Sequence, residues 1–317
     1  MRVTMQARRW RQVLSSMPHY AHELARLSNR HVLAEWTYYK FPYLFPLRAF
    51  PPVIELEITN ECNFSCPHCP RTVFNKTNGL GLMSLELFQK IAEQSAGRVS
   101  LIKFCGLGEP ALHPQLDAMA RLLQRDGIPL SLYTNGTLFD RHLPREILEW
   151  DLHNLVISVD GIDERSFKRL RVGGDYRHLR TMVAEFRKAR EKARKRSPQI
   201  EIRHVIMPYE TPAMLKKFRD DWTDGLGDTV KFNLLESPCS QGTIDPARPR
   251  CRDIRRELYV RHNGRVPLCG FHVDWIGDAH TSTIEEIWHC SRLEDVRRQH
   301  ARRNLSELPF CKTCSFR

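Results

Sequence analysis

The chain lacks any run of about 18 consecutive apolar residues, the length that a helix needs to cross a bilayer. Residues 1–20 contain no apolar segment of signal-peptide length. The sequence shows no internal repeat, low-complexity tract or flexible linker. The basic block at residues 187–197 also lacks the interleaved aromatic residues of RNA-reading surfaces. We therefore expect a protein of the reducing cytoplasm that uses neither a membrane nor a nucleic acid as its partner.

Positive charge is plentiful and unevenly distributed. The 317 residues carry a formal net charge of +12, and residues 165–196 hold thirteen Lys or Arg against three acidic residues. Such a block attracts anions such as phosphates or nucleotides. The simpler interpretation of residues 187–197 is the solvated outer face of a helix.

Three of the ten cysteines stand close together in "NECNFSCPHCP", namely Cys62, Cys66 and Cys69. The chain is too long for a secreted disulfide scaffold, so clustered cysteines favour metal binding or catalysis. A disulfide uses two thiols and a structural zinc site usually uses four ligands. Three thiols leave one coordination position of a metal centre open.

Strands alternate with helices through the middle of the chain. Short apolar and β-branched segments predict strands at residues 53–58, 100–104, 129–133, 154–159, 200–207 and 229–235. Helical periodicity lies between them, and Ser84 is expected to cap the first helix. The alternation predicts an α/β fold with a parallel sheet. An incomplete barrel and a doubly wound sheet both remain open on pattern alone.

Polar motifs follow the first four predicted strands. They are the cysteine motif, "CGLGEP" (105–110), "TNGT" (134–137) and "SVDG" (158–161). A tight turn or a Gly-Pro loop explains any one of them. Because reactive groups gather at the carboxyl ends of parallel strands, we expect all four motifs at one rim.

The pattern changes after residue 236. Residues 257–269 predict a hairpin that turns at Asn263–Gly264, and Ser282 with Glu285 predicts a capping box opening a helix. We expect three regions: a basic helical extension (1–49), the sheet with its helices (50–236) and a small metal-binding domain (237–317).

Four cysteines of this last region form two pairs: Cys251, Cys269, Cys311 and Cys314. A site of four thiolates fits zinc and an iron–sulfur cluster equally well by ligand type. The alternative is that they are scattered structural residues.

The spacing Cys62-x3-Cys66-x2-Cys69 resembles the signature of radical S-adenosylmethionine (SAM) enzymes, and "GLGEP" resembles their glycine-rich motif. This resemblance covers roughly residues 50–236 and implies a partial (β/α)6 TIM-like barrel. The C-terminal region resembles the auxiliary-cluster extension called SPASM, or twitch in its shorter form. Because we expect a single auxiliary cluster, the chain is similar to antibiotic-tailoring members such as the alcohol dehydrogenase of the butirosin pathway.

The resemblance implies two 4Fe–4S clusters and SAM as cofactors, with the open iron of the first cluster chelating SAM. The first three cysteines would hold that cluster, and the four C-terminal ones the second. An electron donor such as flavodoxin or ferredoxin is implied as well. In the family, reductive cleavage of SAM yields a 5′-deoxyadenosyl radical that abstracts a substrate hydrogen, while the protein orients the reactants.

Site roles follow from the same resemblance. Gly106 and Gly108 would let the backbone approach the methionine part of SAM, and Glu109 would recognise its ammonium group. Arg171, in "RLRVGG", would pair with its carboxylate.

Further contacts are implied for four polar residues. Ser158 and Asp160 match positions near the ribose and the carboxylate. His68 stands where the family often places an aromatic residue against adenine, although packing or a turn explains it equally well. Asn135 is a further candidate, with a plain turn residue as the alternative.

We therefore expect an enzyme that oxidises a secondary alcohol of a small polar substrate, such as a sugar, an aminocyclitol or an anionic nucleotide conjugate. The alternatives are epimerisation, peptide modification, and a non-catalytic module with structural zinc sites. Cys105 and Cys239 follow strands at the predicted rim. A thiol there could return a hydrogen atom in an epimerase, and Cys239 is the better placed of the two.

Overall fold

The computed structural model describes residues 37–38, 40–71, 79–234, 251–270 and 274–314. All six predicted strands are present, each within two residues of its expected bounds. The strands are β1 Val53–Leu56, β2 Leu101–Phe104, β3 Leu130–Thr134, β4 Asn154–Ser158, β5 Gln199–Ile206, β6 Thr229–Leu234, β7 Glu257–Val260, β8 Arg265–Pro267 and β9 Trp275–Asp278. The helices are α1 Leu85–Ser95, α2 Leu116–Arg125, α3 Leu138–Arg141, α4 Pro144–Glu149, α5 Glu164–Leu170, α6 Tyr176–Lys192, α7 Pro212–Thr223, α8 Ile284–Trp288, α9 Ser291–Arg302 and α10 Pro309–Thr313.

Strands β1 to β7 form one parallel sheet in the order β6-β5-β4-β3-β2-β1-β7. Neighbouring strands follow one another in sequence from β1 to β6, as repeated strand–helix units require. The α/β fold with a partial barrel is confirmed. Its strands bury apolar side chains against the surrounding helices, for example Phe104 of β2 against Phe88 of α1 at 5.7 Å between ring centroids.

The seventh strand departs from the expected hairpin. Strand β7 pairs in parallel with β1, in the register Val53↔Glu257, and β8 pairs antiparallel with β9 instead. The tight turn at Asn263–Gly264 does form, with the Gly264 N–H donating to the Arg261 carbonyl at 2.9 Å. The open edge of β1 takes β7 because this pairing buries Leu258 and Val260. The sheet thus includes a strand from the region assigned to the metal-binding domain.

Two helix starts test the capping predictions. Ser84 caps α1 as expected, its hydroxyl accepting the Leu87 N–H at 3.1 Å. The box predicted at Ser282 and Glu285 is wrong by one residue. Thr283 caps α8 instead, and Glu286 Oε2 accepts the Thr283 N–H at 2.8 Å.

The described end of the N-terminal region packs against the C-terminal region. The Tyr38 hydroxyl donates to the Arg255 carbonyl at 2.9 Å, and the Tyr43 hydroxyl donates to the Cys251 carbonyl at 2.6 Å. Most of the predicted helical extension lies outside the described residues. Within the described ranges, no helix is long and apolar enough to cross a membrane.

Candidate active site at the carboxyl ends of the strands

A cavity of about 320 Å³ opens at the carboxyl ends of the barrel strands. It brings together residues of all four polar motifs, as the rim argument predicts. The lining residues are Cys62, Phe64, Cys66, His68, Cys69, Pro70, Arg71, Cys105, Gly106, Leu107, Gly108, Glu109, Tyr133, Thr134, Asn135, Ser158, Arg171, Val205 and Asn233. Asp160 does not line the cavity and is fully buried.

The three thiols of the cysteine motif line this cavity on one loop. The Cys62 sulfur accepts the Phe64 N–H at 3.5 Å and the Asn135 side-chain amide at 3.8 Å. Arg171 Nη1 lies 3.9 Å from the Cys66 sulfur. Burial raises the pKa of the Cys62 and Cys66 thiols, while these donors favour the thiolate forms that a metal requires.

The glycine-rich loop packs directly on the cysteine loop. The Glu109 N–H donates to the Glu61 carbonyl at 2.8 Å. A Cβ at Gly108 would collide with the carbonyl oxygen of Thr59. The crowding at Gly108 therefore comes from the protein's own backbone, so a glycine is needed there whatever ligand the cavity holds.

Glu109 is buried and held by three hydrogen bonds. Its carboxylate accepts the Asn135 N–H at 2.6 Å, the Thr134 hydroxyl at 2.8 Å and the Ala111 N–H at 3.1 Å. Burial raises its pKa to about 7, although these donors act in the opposite direction. The carboxylate lines the cavity in a fixed orientation.

Asn135 combines a turn with a contact to a thiol. Its side-chain oxygen accepts the Thr137 N–H at 2.9 Å, an Asx turn of the kind the sequence suggests. Its amide nitrogen donates to Asn63 Oδ1 at 3.0 Å, as well as to Cys62. The "TNGT" segment therefore holds one side of the cysteine loop, and the sequence pattern did not single out Asn63.

Asp160 anchors two predicted site residues from behind the cavity. Its Oδ2 lies 2.6 Å from Arg171 Nη2 and 2.9 Å from His68 Nε2, and its Oδ1 accepts the Val205 N–H at 2.8 Å. Burial alone would raise its pKa, but Arg171 and His68 hold the pKa of this carboxyl at about 2. Arg171 Nε and His68 Nδ1 have no hydrogen-bond partner within the described residues.

The strand ends contribute further cavity-lining groups. Within the described part of the chain, no hydrogen bond engages the Tyr133 hydroxyl, the Ser158 hydroxyl or the Asn233 amide. Sequence reasoning missed Tyr133 in β3 and Asn233 in β6, although side chains alternate along each strand and both residues stand at positions that face the inside of the barrel. Cys105 lines the same space, and burial raises the pKa of its thiol well above the usual value. Cys239 lies outside the described residues.

The four C-terminal cysteines lie in residues 251–270 and in or next to α10. Cys251 is buried, and its N–H donates to His300 Nδ1 at 3.4 Å. In the described ranges, no three Cys, His, Asp or Glu side chains converge as the ligands of a single metal ion would. The assignment of individual cysteines as ligands therefore stays a prediction from residue type and spacing.

Comparison with known families decides between the chemistries that such a site allows. The model of the Radical SAM superfamily matches residues 56–221, just over half of the chain. The chain belongs to the Radical SAM superfamily. A second family model, SPASM, described as an iron-sulfur cluster-binding domain, matches residues 251–315. The cofactors of this radical SAM protein are therefore a 4Fe–4S cluster, SAM and an additional iron–sulfur centre.

Relatives of established name match parts of the chain. The tungsten-containing aldehyde ferredoxin oxidoreductase cofactor-modifying protein of Pyrococcus furiosus is 33% identical over 107 residues, which are 33% of this chain and 30% of that protein. The chain thus spans less than a third of that relative's length.

Two solved structures share the fold over most of the chain. BtrN in complex with AdoMet and 2-DOIA has a TM-score of 0.54 and 18% identity, covering 83% of this chain and 92% of that chain. Streptococcus suis SuiB bound to the precursor peptide SuiA has a TM-score of 0.59 and 13% identity, covering 85% and 70%. At these identities the likeness shows the fold alone.

The residues at the cavity fit the cofactors of the superfamily. Three thiols on one loop, two of them accepting N–H donors, suit a cluster with one open iron. Arg171 Nε and His68 Nδ1, which have no hydrogen-bond partner in the part of the chain that the structure describes, provide polar groups beside these thiols. The donor set and its surroundings therefore agree with the family assignment.

Proposed function

We propose that this radical SAM protein is an oxidoreductase that converts a secondary alcohol of a small polar substrate to a ketone in natural-product biosynthesis. The substrate classes proposed are a sugar, an aminocyclitol or a nucleotide conjugate. The observation that carries the proposal is the cavity itself, which three thiols line together with Tyr133 and Asn233, whose hydroxyl and amide make no hydrogen bond within the described residues. Hydrogen-bonding groups of this kind suit a hydroxylated substrate.

The oxidation removes two electrons and two protons from the alcohol. When bound, the first cluster and SAM supply a 5′-deoxyadenosyl radical that takes the carbinol hydrogen atom, and the auxiliary cluster offers an acceptor for the second electron. The hydroxyl proton passes to solvent. We propose a cytoplasmic reductant such as flavodoxin or ferredoxin.

The chain's own residues are proposed to position the reactants. Cys62, Cys66 and Cys69 would hold the first cluster, while Arg171 would bind the SAM carboxylate in the orientation that Asp160 fixes. Glu109 would meet the SAM ammonium group, and the carboxylate's three hydrogen bonds already fix its position. Residues fixed before binding lose little conformational entropy when the ligand arrives.

The remaining assignments concern three more polar groups and the auxiliary cluster. Ser158 and His68 would contact the nucleoside part of SAM, and Asn135 would support Cys62. The four C-terminal cysteines would hold the auxiliary cluster: Cys251, Cys269, Cys311 and Cys314.

Epimerisation is the second candidate, and Cys105 is the observation that favours it. Its thiol lines the cavity and stays protonated because burial raises its pKa. A protonated thiol can return a hydrogen atom to a carbon radical, after which one electron from the reductant and one proton from solvent restore the thiol. Peptide modification is the third candidate, since the fold is shared with SuiB, whose structure holds a precursor peptide.

The test uses anaerobically reconstituted enzyme with SAM, dithionite and aminocyclitols or sugars deuterated at the carbinol carbon. Transfer of deuterium into 5′-deoxyadenosine, together with a product two hydrogens lighter, is the expected result. The likeness to BtrN, solved with AdoMet and 2-DOIA, makes cyclitols the first class to assay. Deuterium transfer into 5′-deoxyadenosine with a product that keeps its full number of hydrogens, one hydrogen having replaced the lost deuterium, would instead support epimerisation.

A further inference from the structure

Glu57 is a buried carboxylate at the junction of the two expected domains. It directly follows β1, and its N–H donates to the Val260 carbonyl of β7 at 2.9 Å. The residue is 4% exposed. A carboxylate so buried is stable only when charged or polar partners engage it.

One set of contacts joins Glu57 to the glycine-rich loop. Its Oε2 accepts the Leu107 N–H at 3.0 Å. Gly106 has a φ of +155°, and a Cβ there would lie 2.8 Å from the Glu57 side chain. The glycine-rich loop, which places Glu109 at the cavity, therefore packs directly against Glu57.

A second set joins Glu57 to the C-terminal region. Arg261 Nη1 donates to the same Oε2 at 2.9 Å, and Arg261 Nη2 donates to the Gly270 carbonyl at 2.7 Å. His262 Nδ1 lies 3.2 Å from Oε1. Gly270 follows Cys269, one of the proposed auxiliary ligands, so one planar guanidinium connects Glu57 to the loop of that cysteine.

We propose that Glu57 and Arg261 are positioning residues that fix the glycine-rich loop and the Cys269 loop relative to each other. The inference rests on the proposed function only where it takes Cys269 as an auxiliary ligand. Both charged groups are engaged by protein atoms, so neither binds substrate directly. The ion pair makes the SAM side of the cavity and the environment of the auxiliary site depend on one shared carboxylate.

The test compares Arg261→Lys and Glu57→Gln with a matched control. Arg190 has the same arrangement of partners, since its guanidinium donates to an Asp228 carboxylate oxygen at 2.5 Å and to the Pro198 carbonyl at 2.6 Å. It is 6% exposed, as is Arg261, but it bridges α6 to the opposite, amino ends of β5 and β6. Arg190→Lys thus reproduces the loss of a buried guanidinium bridge away from both cysteine loops.

The first measurement is the EPR spectrum and midpoint potential of the auxiliary cluster. It is made in a background with Cys62, Cys66 and Cys69 changed to Ala, so that only this cluster contributes. The second measurement is SAM affinity, in enzyme that is otherwise unmutated. Arg261→Lys keeps the charge beside Glu57 but cannot span both acceptors, so it shifts the auxiliary spectrum and potential. Glu57→Gln shifts these as well and weakens SAM binding by about tenfold. Arg190→Lys lowers thermal stability and leaves both readouts unchanged.

Unchanged spectra, potential and SAM affinity in both variants would overturn the proposal, as would equal shifts in the Arg190→Lys control. An unmutated enzyme with a single cluster would refute the auxiliary assignment and the oxidation proposed above. The Glu57→Gln effect on SAM affinity would then still decide whether Glu57 positions the glycine-rich loop. The two failures are therefore distinguishable.

Discussion

Arg171 Nη2 and Asp160 Oδ2 form an ion pair at 2.6 Å, and the same guanidinium lies 3.9 Å from the Cys66 sulfur. Asp160 is fully buried and does not line the cavity, whereas Arg171 does. The carboxylate therefore orients the guanidinium without itself reaching a ligand. The family resemblance implied a contact with SAM for both residues. In the structure Arg171 lines the cavity, whereas Asp160 acts through Arg171.

Replacing Arg171 should weaken SAM binding. Loss of a charge-assisted hydrogen bond costs about 1.5–3 kcal/mol, or roughly a 10- to 150-fold lower affinity. Equilibrium dialysis with SAM measures the effect on Arg171→Ala, and iron analysis shows whether the first cluster is retained. Arg171→Lys keeps the charge but loses the planar fork, so its SAM affinity should fall between those of the wild type and Arg171→Ala. Unchanged affinity in Arg171→Ala would remove this residue from the proposed site.

Replacing Cys62, Cys66 and Cys69 together by Ala should halve the iron content. Two cubane clusters hold about eight irons, so about four should remain in the auxiliary domain. Cleavage of SAM to 5′-deoxyadenosine should cease, as measured by chromatography under dithionite. Zinc in place of iron, or four irons in the unmutated protein, would contradict the presence of two clusters.

Gly108→Ala should disturb the first cluster more than it disturbs the fold. The added methyl would collide with the Thr59 carbonyl, forcing the glycine-rich loop away from the cysteine loop. Overpacking of this kind costs about 1–3 kcal/mol. Iron content and the EPR signal of the first cluster report the displacement.

Gly127→Ala provides the matched control for this substitution. Gly127 has a φ of +66° and no atom within 4 Å of an added Cβ, so Ala there strains the backbone without a collision. It should lower thermal stability and leave the cluster signal intact. Equal loss of the first cluster in both variants would show that general destabilisation is responsible.

The sequence predicted the six strands and the cavity because both depend on local patterns. Strand periodicity and a shared strand direction suffice to place the cysteine motif and "GLGEP" at one rim. The pairing of β7 with β1 was not predictable in this way, since residues 257–260 carry the same alternation whether they pair with β8 or with an open sheet edge. Partner choice depends on which edge remains open in the folded barrel.

The contacts between loops were also beyond sequence patterns. Glu57 is one of several charged residues in or directly after the strands, and nothing local shows that it meets Arg261, which is 204 residues further along the chain. The Thr283 cap was missed for a simpler reason. Ser282 and Thr283 each have a Glu three residues later, so the pattern fits two capping boxes equally well; the helix begins at Ile284, and both Ile284 and Ile287 are buried.

Glu55→Gln should flatten the dependence of stability on pH. Burial raises the pKa of Glu55 to about 7, and the charged groups around it are Lys103, Glu257, Arg261 and Arg203. An acid whose pKa is raised in the folded state favours folding at low pH. That stability is lost as pH rises from the unfolded value through the folded pKa.

The wild-type protein should therefore lose on the order of 2–3 kcal/mol between pH 5 and pH 8 through Glu55, and Glu55→Gln should lose less by that amount. Thermal unfolding across this pH range measures the difference. Glu86→Gln, at an exposed position in the first turn of α1, serves as the control and should follow the wild type. Parallel pH profiles for Glu55→Gln and the wild type would show that Glu55 titrates normally.

The fate of the substrate radical should distinguish oxidation from epimerisation. Oxidation requires the radical to lose an electron and a proton, so substitution of Cys311 and Cys314 by Ala should stop product formation while SAM cleavage continues. Epimerisation requires a hydrogen atom from a thiol, so Cys105→Ala or Cys239→Ala should block turnover instead.

Product made by the unmutated enzyme in deuterated water separates the two outcomes, because a thiol exchanges its hydrogen with solvent and a carbinol carbon does not. We expect a product two hydrogens lighter without deuterium on the reacting carbon, since the auxiliary domain provides four cysteines of the required type, whereas a single partly buried thiol such as Cys105 commonly serves only packing. An isomer of unchanged composition that carries one deuterium would contradict oxidation, and the cysteine variant that abolishes this deuterium would identify the hydrogen donor.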